Sequence, residues 1–237
     1  MRPWSSIPIH DCGEPLLPLP AELWRLDPHP YVAAGAPYGP DACPFQLRQG
    51  VIERLLQAQR QLQSIHPSWR LAIFDGWRPL AVQSFMVAQA IAAECAARGV
   101  DPFSASEARF EVEQDVGRFW APPSDDPAMP PPHSTGAAVD LTLADQDGVP
   151  LDLGSPIDAI GVVSEPDHFR LLAAEGVDDT TRRQARIWQS RRDALAAAME
   201  VAGFAQHPNE WWHFSHGDQL WAWRTGQAQS IYGRSGC

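Results

Sequence analysis

Apolar positions recur at helical spacing from Phe45 to Ile65, where Leu47, Val51, Leu55, Ala58, Leu62 and Ile65 share a face. His66-Pro67 ends that helix, because proline disfavours helical geometry in the residue before it. Trp69, Leu71 and Ile73 then alternate with Arg70 and Ala72, the period of a short strand. Asp75-Gly76-Trp77-Arg78 reads as a turn into Pro79, a natural first helical position. The helix it opens runs to about Arg98, and Gly99 stops it. A weaker helix is expected over about 104–118. Residues 121–132 hold six prolines in twelve positions and must be loop. From Ala137 to Leu143 the pattern alternates again, with Val139, Leu141 and Leu143 on one face and Ala138, Asp140 and Thr142 on the other.

After a loop from Ala144 to Asp179, Thr180 or Thr181 can cap a helix whose apolar face is Leu195, Ala198, Met199 and Ala202, ended by Gly203. Glu210–Ser215 and Leu220–Trp223 read as final strands joined by the His216-Gly217-Asp218 turn. Residues 1–44, rich in Pro and Gly, read as an extended arm without periodic elements, wrapped over a single folded domain spanning 45–237. Helices and strands mix without regular βαβ alternation and without internal repeats. The expected class is therefore α+β, a small and mainly antiparallel sheet covered by helices.

Composition narrows the function. Hydrophobic residues are 44% of the chain, enough for a sizeable core. No stretch reads as the roughly 20 apolar residues needed to span a bilayer. Met1–Pro20 has no continuous apolar run of the signal-peptide kind. A cytoplasmic protein is expected, with Cys12, Cys43, Cys95 and Cys237 as reduced thiols far apart in sequence. The net charge of −11 argues against nucleic acid or an anionic membrane as partner. The Lys+Arg total of 18 is entirely arginine. With no lysine, pyridoxal phosphate Schiff bases, Walker-A phosphate binding and Ser–Lys hydrolysis are excluded. No GxSxG elbow is present for a serine triad.

Three segments carry candidate chemistry. In His133-Ser134-Thr135-Gly136-Ala137-Ala138-Val139-Asp140, a histidine ends the proline-rich loop and a carboxylate follows on the minority face of an apolar strand. Such a carboxylate is costly unless paired or bound to a cation, and Gly136 lets the backbone bend so that His133 and Asp140 converge. Glu210-Trp211-Trp212-His213 sets a second carboxylate and a third candidate ligand inside an aromatic wall. Two histidines and one carboxylate form a common catalytic zinc set, which leaves Glu210 to take a proton from an attacking water. Strict strand alternation would put Glu210 and His213 on opposite faces, so a bulge or turn is expected near Glu210. Arg78, at a strand-to-helix turn, could stabilise the oxyanion of an attacked peptide carbonyl. Asp75 reads as a carboxylate that orients Arg78 or the turn. The arginines Arg182, Arg183, Arg186, Arg191 and Arg192 read as a solvated helix face. His10, His29, His66, His168, His207 and His216 read as surface or turn histidines.

Taken in order, Asp75-Gly76-Trp77-Arg78-Pro79, His133-x-x-Gly136-x-Ala138-x-Asp140 and Glu210-Trp211-Trp212-His213 resemble the D-alanyl-D-alanine dipeptidases, zinc peptidases that share a fold with sonic hedgehog. The similarity extends over about residues 45–224, through Leu151-Asp152-Leu153-Gly154-Ser155-Pro156-Ile157-Asp158. The resemblance implies one zinc per chain held by His133, Asp140 and His213, with Glu210 as base and Arg78 stabilising the transition state. It also implies that Asp158 holds the free amino group of a small peptide substrate such as D-Ala-D-Ala, with Tyr31 of the arm contacting the substrate. Residues 45–237 would then be the catalytic domain. One departure is Pro131, where the family usually has a serine two residues before the first metal histidine. The sequence leaves two rivals open: a D,D-carboxypeptidase or endopeptidase of the same group acting on longer cell-wall peptides, and a non-catalytic zinc-binding interaction module. The second has no need of a base.

Overall fold

The computed structural model of the chain describes residues 2–40 and 43–236. Cys237 lies outside the described residues, and Cys12, Cys43 and Cys95 are free thiols. The main sheet has five strands in the order β2 (Trp24–Arg25), β4 (Arg70–Asp75), β5 (Ala138–Ala144), β7 (His213–Ser215) and β6 (Ala205–Gln206). Only β2 pairs parallel to its neighbour; the other pairings are antiparallel. A separate ribbon joins β1 (Leu16–Pro18) to β3 (Gln46–Arg48).

One face of the sheet is apolar. Leu71, Ile73, Val139, Leu141 and Leu143 point into a core completed by Val51, Leu55, Ala58 and Leu62 of α2 (Gln49–Ile65) and Leu195, Ala198 and Met199 of α6 (Asp179–Val201). Each of the Val, Leu, Ile and Met side chains, once buried, stabilises the fold by about 1.5–3 kcal/mol. All seven residues of β5 are buried, so Asp140 on its other face has no solvent to lean on. A second apolar cluster joins α3 (Leu80–Arg98) and α4 (Glu107–Phe119) to Tyr31 and Tyr38.

The structure corrects several readings. The arm contains short elements after all: β1, β2 and α1 (Pro30–Ala33), with β2 forming an edge of the main sheet. The stretch 144–179 contains α5 (His168–Glu175), which packs on α6. The last segment is not a strand. Asp218 caps α7 (Gln219–Thr225) by accepting from the Trp221 amide at 2.8 Å, and the short apolar run Leu220-Trp221-Ala222-Trp223 masked that signal. The sixth helix is capped by Asp178 instead of either threonine. Finally, α3 is long and apolar enough to cross a membrane by length and composition, with mean hydropathy 1.4. Here it packs on α4 with Val82, Met86 and Cys95 buried.

Candidate metal centre and catalytic site

The polar face of the sheet assembles the site by register. Asp140 on β5 stands opposite His213 on β7. On the other side, the pairing of β4 with β5 slips between Ile73 and Asp75. A regular ladder would set Phe74 opposite Asp140; the extra residue sets Asp75 there instead. A bulge of this kind re-aims a side chain, and it lines up Asp75, Asp140 and His213 across three adjacent strands. His133 enters from the 3-10 turn Pro132–Thr135, which ends at Gly136 with φ +71°. A left-handed residue there turns the chain straight into β5.

His133, Asp140 and His213 are all buried and offer donor atoms within 4.8 Å of one another. His133 Nε2 lies 3.2 Å from Asp140 Oδ2 and 3.2 Å from His213 Nδ1, which is 3.0 Å from Asp140 Oδ1. His133 Nδ1 donates to the Gly76 carbonyl at 2.7 Å. A carbonyl only accepts, so the lone pair is on Nε2, facing the cluster. His213 Nε2 sits 3.4 Å from Ser215 Oγ, which leaves its Nδ1 facing inward. Asp140 Oδ1 is buried without a hydrogen-bond partner among the described residues. Zinc bonds of about 2.0–2.2 Å in tetrahedral geometry separate donors by about 3.3 Å, close to the spacings found. Two imidazole nitrogens and a carboxylate, one of its oxygens orphaned, converge on one point and fit a zinc ion.

Around this set the charges are sorted. Burial would push the Asp140 carboxyl up, but His133 and His213 overcome it and hold it well below the usual carboxylate range. Glu210 moves the other way, raised well above its ordinary value by burial and by the Asp140 charge. Glu210 lies in a turn before β7, so the expected break in alternation is present, and its Oε2 comes within 3.5 Å of His213 Nδ1. Its Oε1 has no hydrogen-bond partner among the described residues. A buried carboxyl raised in this way is suited to accept a proton near neutral pH.

Arg78 is buried and fixed on three sides. Its Nε and Nη2 donate to Asp75 Oδ2 at 3.0 and 2.6 Å, and Nη1 donates to Gln83 Oε1 at 2.8 Å. Nη2 also lies 3.6 Å from Asp140 Oδ2. Asp75, fully buried, accepts in addition from Tyr38 and pairs with His29 at 3.0 Å. Burial opposes its charge, and Arg78, His29 and His133 more than offset that, so it stays ionised. Asp75 thus orients the guanidinium, the role expected for it.

Asp158 lines the same pocket, and the Tyr31 hydroxyl behind it donates to its Oδ2 at 2.7 Å. Asp158 adopts φ +66°, rare for a residue with a side chain, and burial together with the Asp140 charge pushes its pKa up to about 7. Its loop is held by Arg192, which donates to the carbonyls of Leu153, Val163 and Glu165 at 2.9–3.0 Å. Arg192 is buried, so it is not part of a solvated arginine face. His29, His207 and His216 are likewise buried. His207 borders the metal pocket and its Nδ1 lies 3.4 Å from Glu210 Oε1. Burial, with His213 and Arg2 nearby, lowers its pKa well below the ordinary value and keeps it neutral. His10 is exposed, as read. Pro131 is buried and lines a larger, mainly apolar pocket beside the metal pocket. The pockets share Arg2, Trp120, Ala121 and Pro132.

Comparison with known proteins gives the same direction. Residues 26–231 match the peptidase family described as D-ala-D-ala dipeptidase. A D-alanyl-D-alanine dipeptidase of Synechocystis sp. is 44% identical over 229 residues, covering 96% of this chain and 92% of the relative. The D-alanyl-D-alanine dipeptidase of Escherichia coli is 35% identical over 82 residues, 35% of this chain and 36% of the relative. Among solved structures, the zinc-bound vancomycin-resistance D,D-pentapeptidase VanY covers 94% of this chain and 96% of its own at 14% identity and TM-score 0.43. The LD-carboxypeptidase LdcB covers 87% of this chain and 69% of its own at 11% identity and TM-score 0.40. With the match running through every motif of the site and almost the whole length of a close relative, the chain belongs to the D-alanyl-D-alanine dipeptidase family.

Proposed function

We propose that the protein is a zinc-dependent dipeptidase that hydrolyses D-Ala-D-Ala or a similar small dipeptide. The observation that carries the reading is the convergence of His133, Asp140 and His213 with Glu210 immediately beside them. A zinc ion held by those three residues supplies Lewis acidity and lowers the pKa of water. Glu210 takes the proton of the attacking water and passes it to the leaving amine, a role matched by its raised pKa. Arg78, preorganised by Asp75 and Gln83, faces the same pocket and stabilises negative charge on the carbonyl oxygen. Asp158, aided by Tyr31, holds the substrate ammonium. An interaction module would need neither a base of this kind nor a fixed guanidinium.

A substrate panel tests the reading. Free D-Ala-D-Ala should be cleaved far better than N-acetyl-D-Ala-D-Ala, because acetylation removes the charge that pairs with Asp158. Efficient cleavage of a cell-wall pentapeptide, with little for the free dipeptide, would transfer the assignment to a D,D-carboxypeptidase.

A further inference from the structure

A free dipeptide is a zwitterion, and the site described so far accounts for one end. Its amine faces Asp158, while its carboxylate needs a cation of its own. The metal pocket is lined by two arginines, Arg2 and Arg78. Arg78 is already committed to Asp75, Gln83 and Asp140. Arg2 is not: among the described residues no carboxylate lies within ion-pair distance of it, and its one polar contact is a long 3.4 Å bond to the Gly117 carbonyl. Burial disfavours its charge, and the carboxylate acting on it is that of Glu210. A half-buried guanidinium without a partner is costly, and an arriving carboxylate relieves that cost with charge-assisted hydrogen bonds.

Its position is fixed by neighbours and not by chance. Trp4, buried, packs against the His207 and Trp223 rings at 5.6 and 5.4 Å, and the Arg2 guanidinium lies 5.5 Å from the Trp4 ring centre. Gln219 of α7 donates to the carbonyls of Ile7 at 2.6 Å and Ala128 at 3.0 Å, tying arm and proline-rich loop together. Arg2 therefore stands at the junction of the metal pocket and the larger apolar pocket.

We propose that Arg2 binds the terminal carboxylate of the dipeptide and makes a free C-terminus a requirement of the enzyme. The assignment rests on the dipeptidase reading, with the scissile bond between an amine held at Asp158 and a carboxylate held at Arg2. It makes Arg2 a specificity-determining residue, with the adjoining apolar pocket available to the C-terminal side chain.

The test compares D-Ala-D-Ala with its C-terminal amide, using the zinc-loaded full chain. Arg2→Gln should raise KM for the acid about 10- to 100-fold, the worth of a hydrogen-bonded charge, with kcat and the amide nearly unchanged. Arg2→Lys should recover part of the loss. Calorimetric binding of both ligands to Glu210→Gln, with and without Arg2→Gln, reads the same preference without turnover. A preference for the acid that survives Arg2→Gln overturns the assignment. So does an equal loss on acid and amide with a shifted pH–rate profile, which would place Arg2's effect on Glu210. If the acid is bound in preference through Arg2 but never cleaved, the dipeptidase reading fails and the Arg2 assignment stands.

Discussion

Glu210 and His213 stand three residues apart, both buried, both directed at one point, yet their proposed tasks differ. His213 shares Asp140 with His133, whereas Glu210 Oε1 has no hydrogen-bond partner among the described residues. The difference predicts separable variants. Glu210→Gln should keep about one zinc per chain and lose about 10²–10⁴-fold in kcat, while His213→Ala should lose metal and activity together. Metal analysis of the two variants checks this; a zinc-free Glu210→Gln protein would make Glu210 a ligand. Asp158 carries a second residue-scale expectation. Its carboxyl, raised to about 7, must be ionised to hold an ammonium. KM for a free dipeptide should therefore rise as the pH falls through the Asp158 titration and level off above it. A cation beside Asp140 offsets the charge that raises Asp158, so the midpoint belongs at or below about 7. In Asp158→Asn, KM should be high and independent of pH over that range, and a steep rise in KM persisting there would assign the titration to another group.

At the scale of elements, the site depends on how one turn and one bulge deliver side chains to the polar face of the sheet. Gly136 is the hinge between His133 and β5. It holds φ +71°, and an added Cβ would come within 2.2 Å of the Leu16 side chain of β1. Gly136→Ala should thus cost about 1–2 kcal/mol in backbone strain alone, and overpacking adds to it. Thermal unfolding and zinc titration should show lower stability together with weaker metal binding. Unchanged values for both would remove Gly136 from the construction of the site. Elements with a strong period were legible: α3, β4 and β5 fall close to where the apolar spacing puts them, and so does α2 from Gln49 on, whereas Leu47, read onto its face, lies in the strand β3. Those that were misread are short or carry mixed signals. Leu220-Trp221-Ala222-Trp223 is a short apolar run of the length of a buried strand, yet the Asp218 cap and tertiary packing make it helical. The slip after Ile73 left no mark in the sequence, because a bulge is set by what the neighbouring strand demands.

Across the whole molecule, legibility follows sequence distance. His133, Asp140, Glu210 and His213 stood out because two short motifs each hold a complete pair. Arg2, His29, His207 and Arg192 did not, because what makes them matter is a partner far away in the chain: Asp75 for His29, the Asp158 loop for Arg192, the metal pocket for Arg2 and His207. No local pattern separates such a residue from a surface one. The fold brings residues from the arm, the proline-rich loop and two central strands to one small pocket, and the proposed chemistry needs all of them at once. The most direct test of the central claim is the release of D-alanine from D-Ala-D-Ala by the purified protein, followed through chelation and readdition of zinc. The account predicts turnover that disappears with the metal and returns with one equivalent of zinc per chain. Turnover that is indifferent to chelation, or none from the zinc-loaded protein, would contradict it.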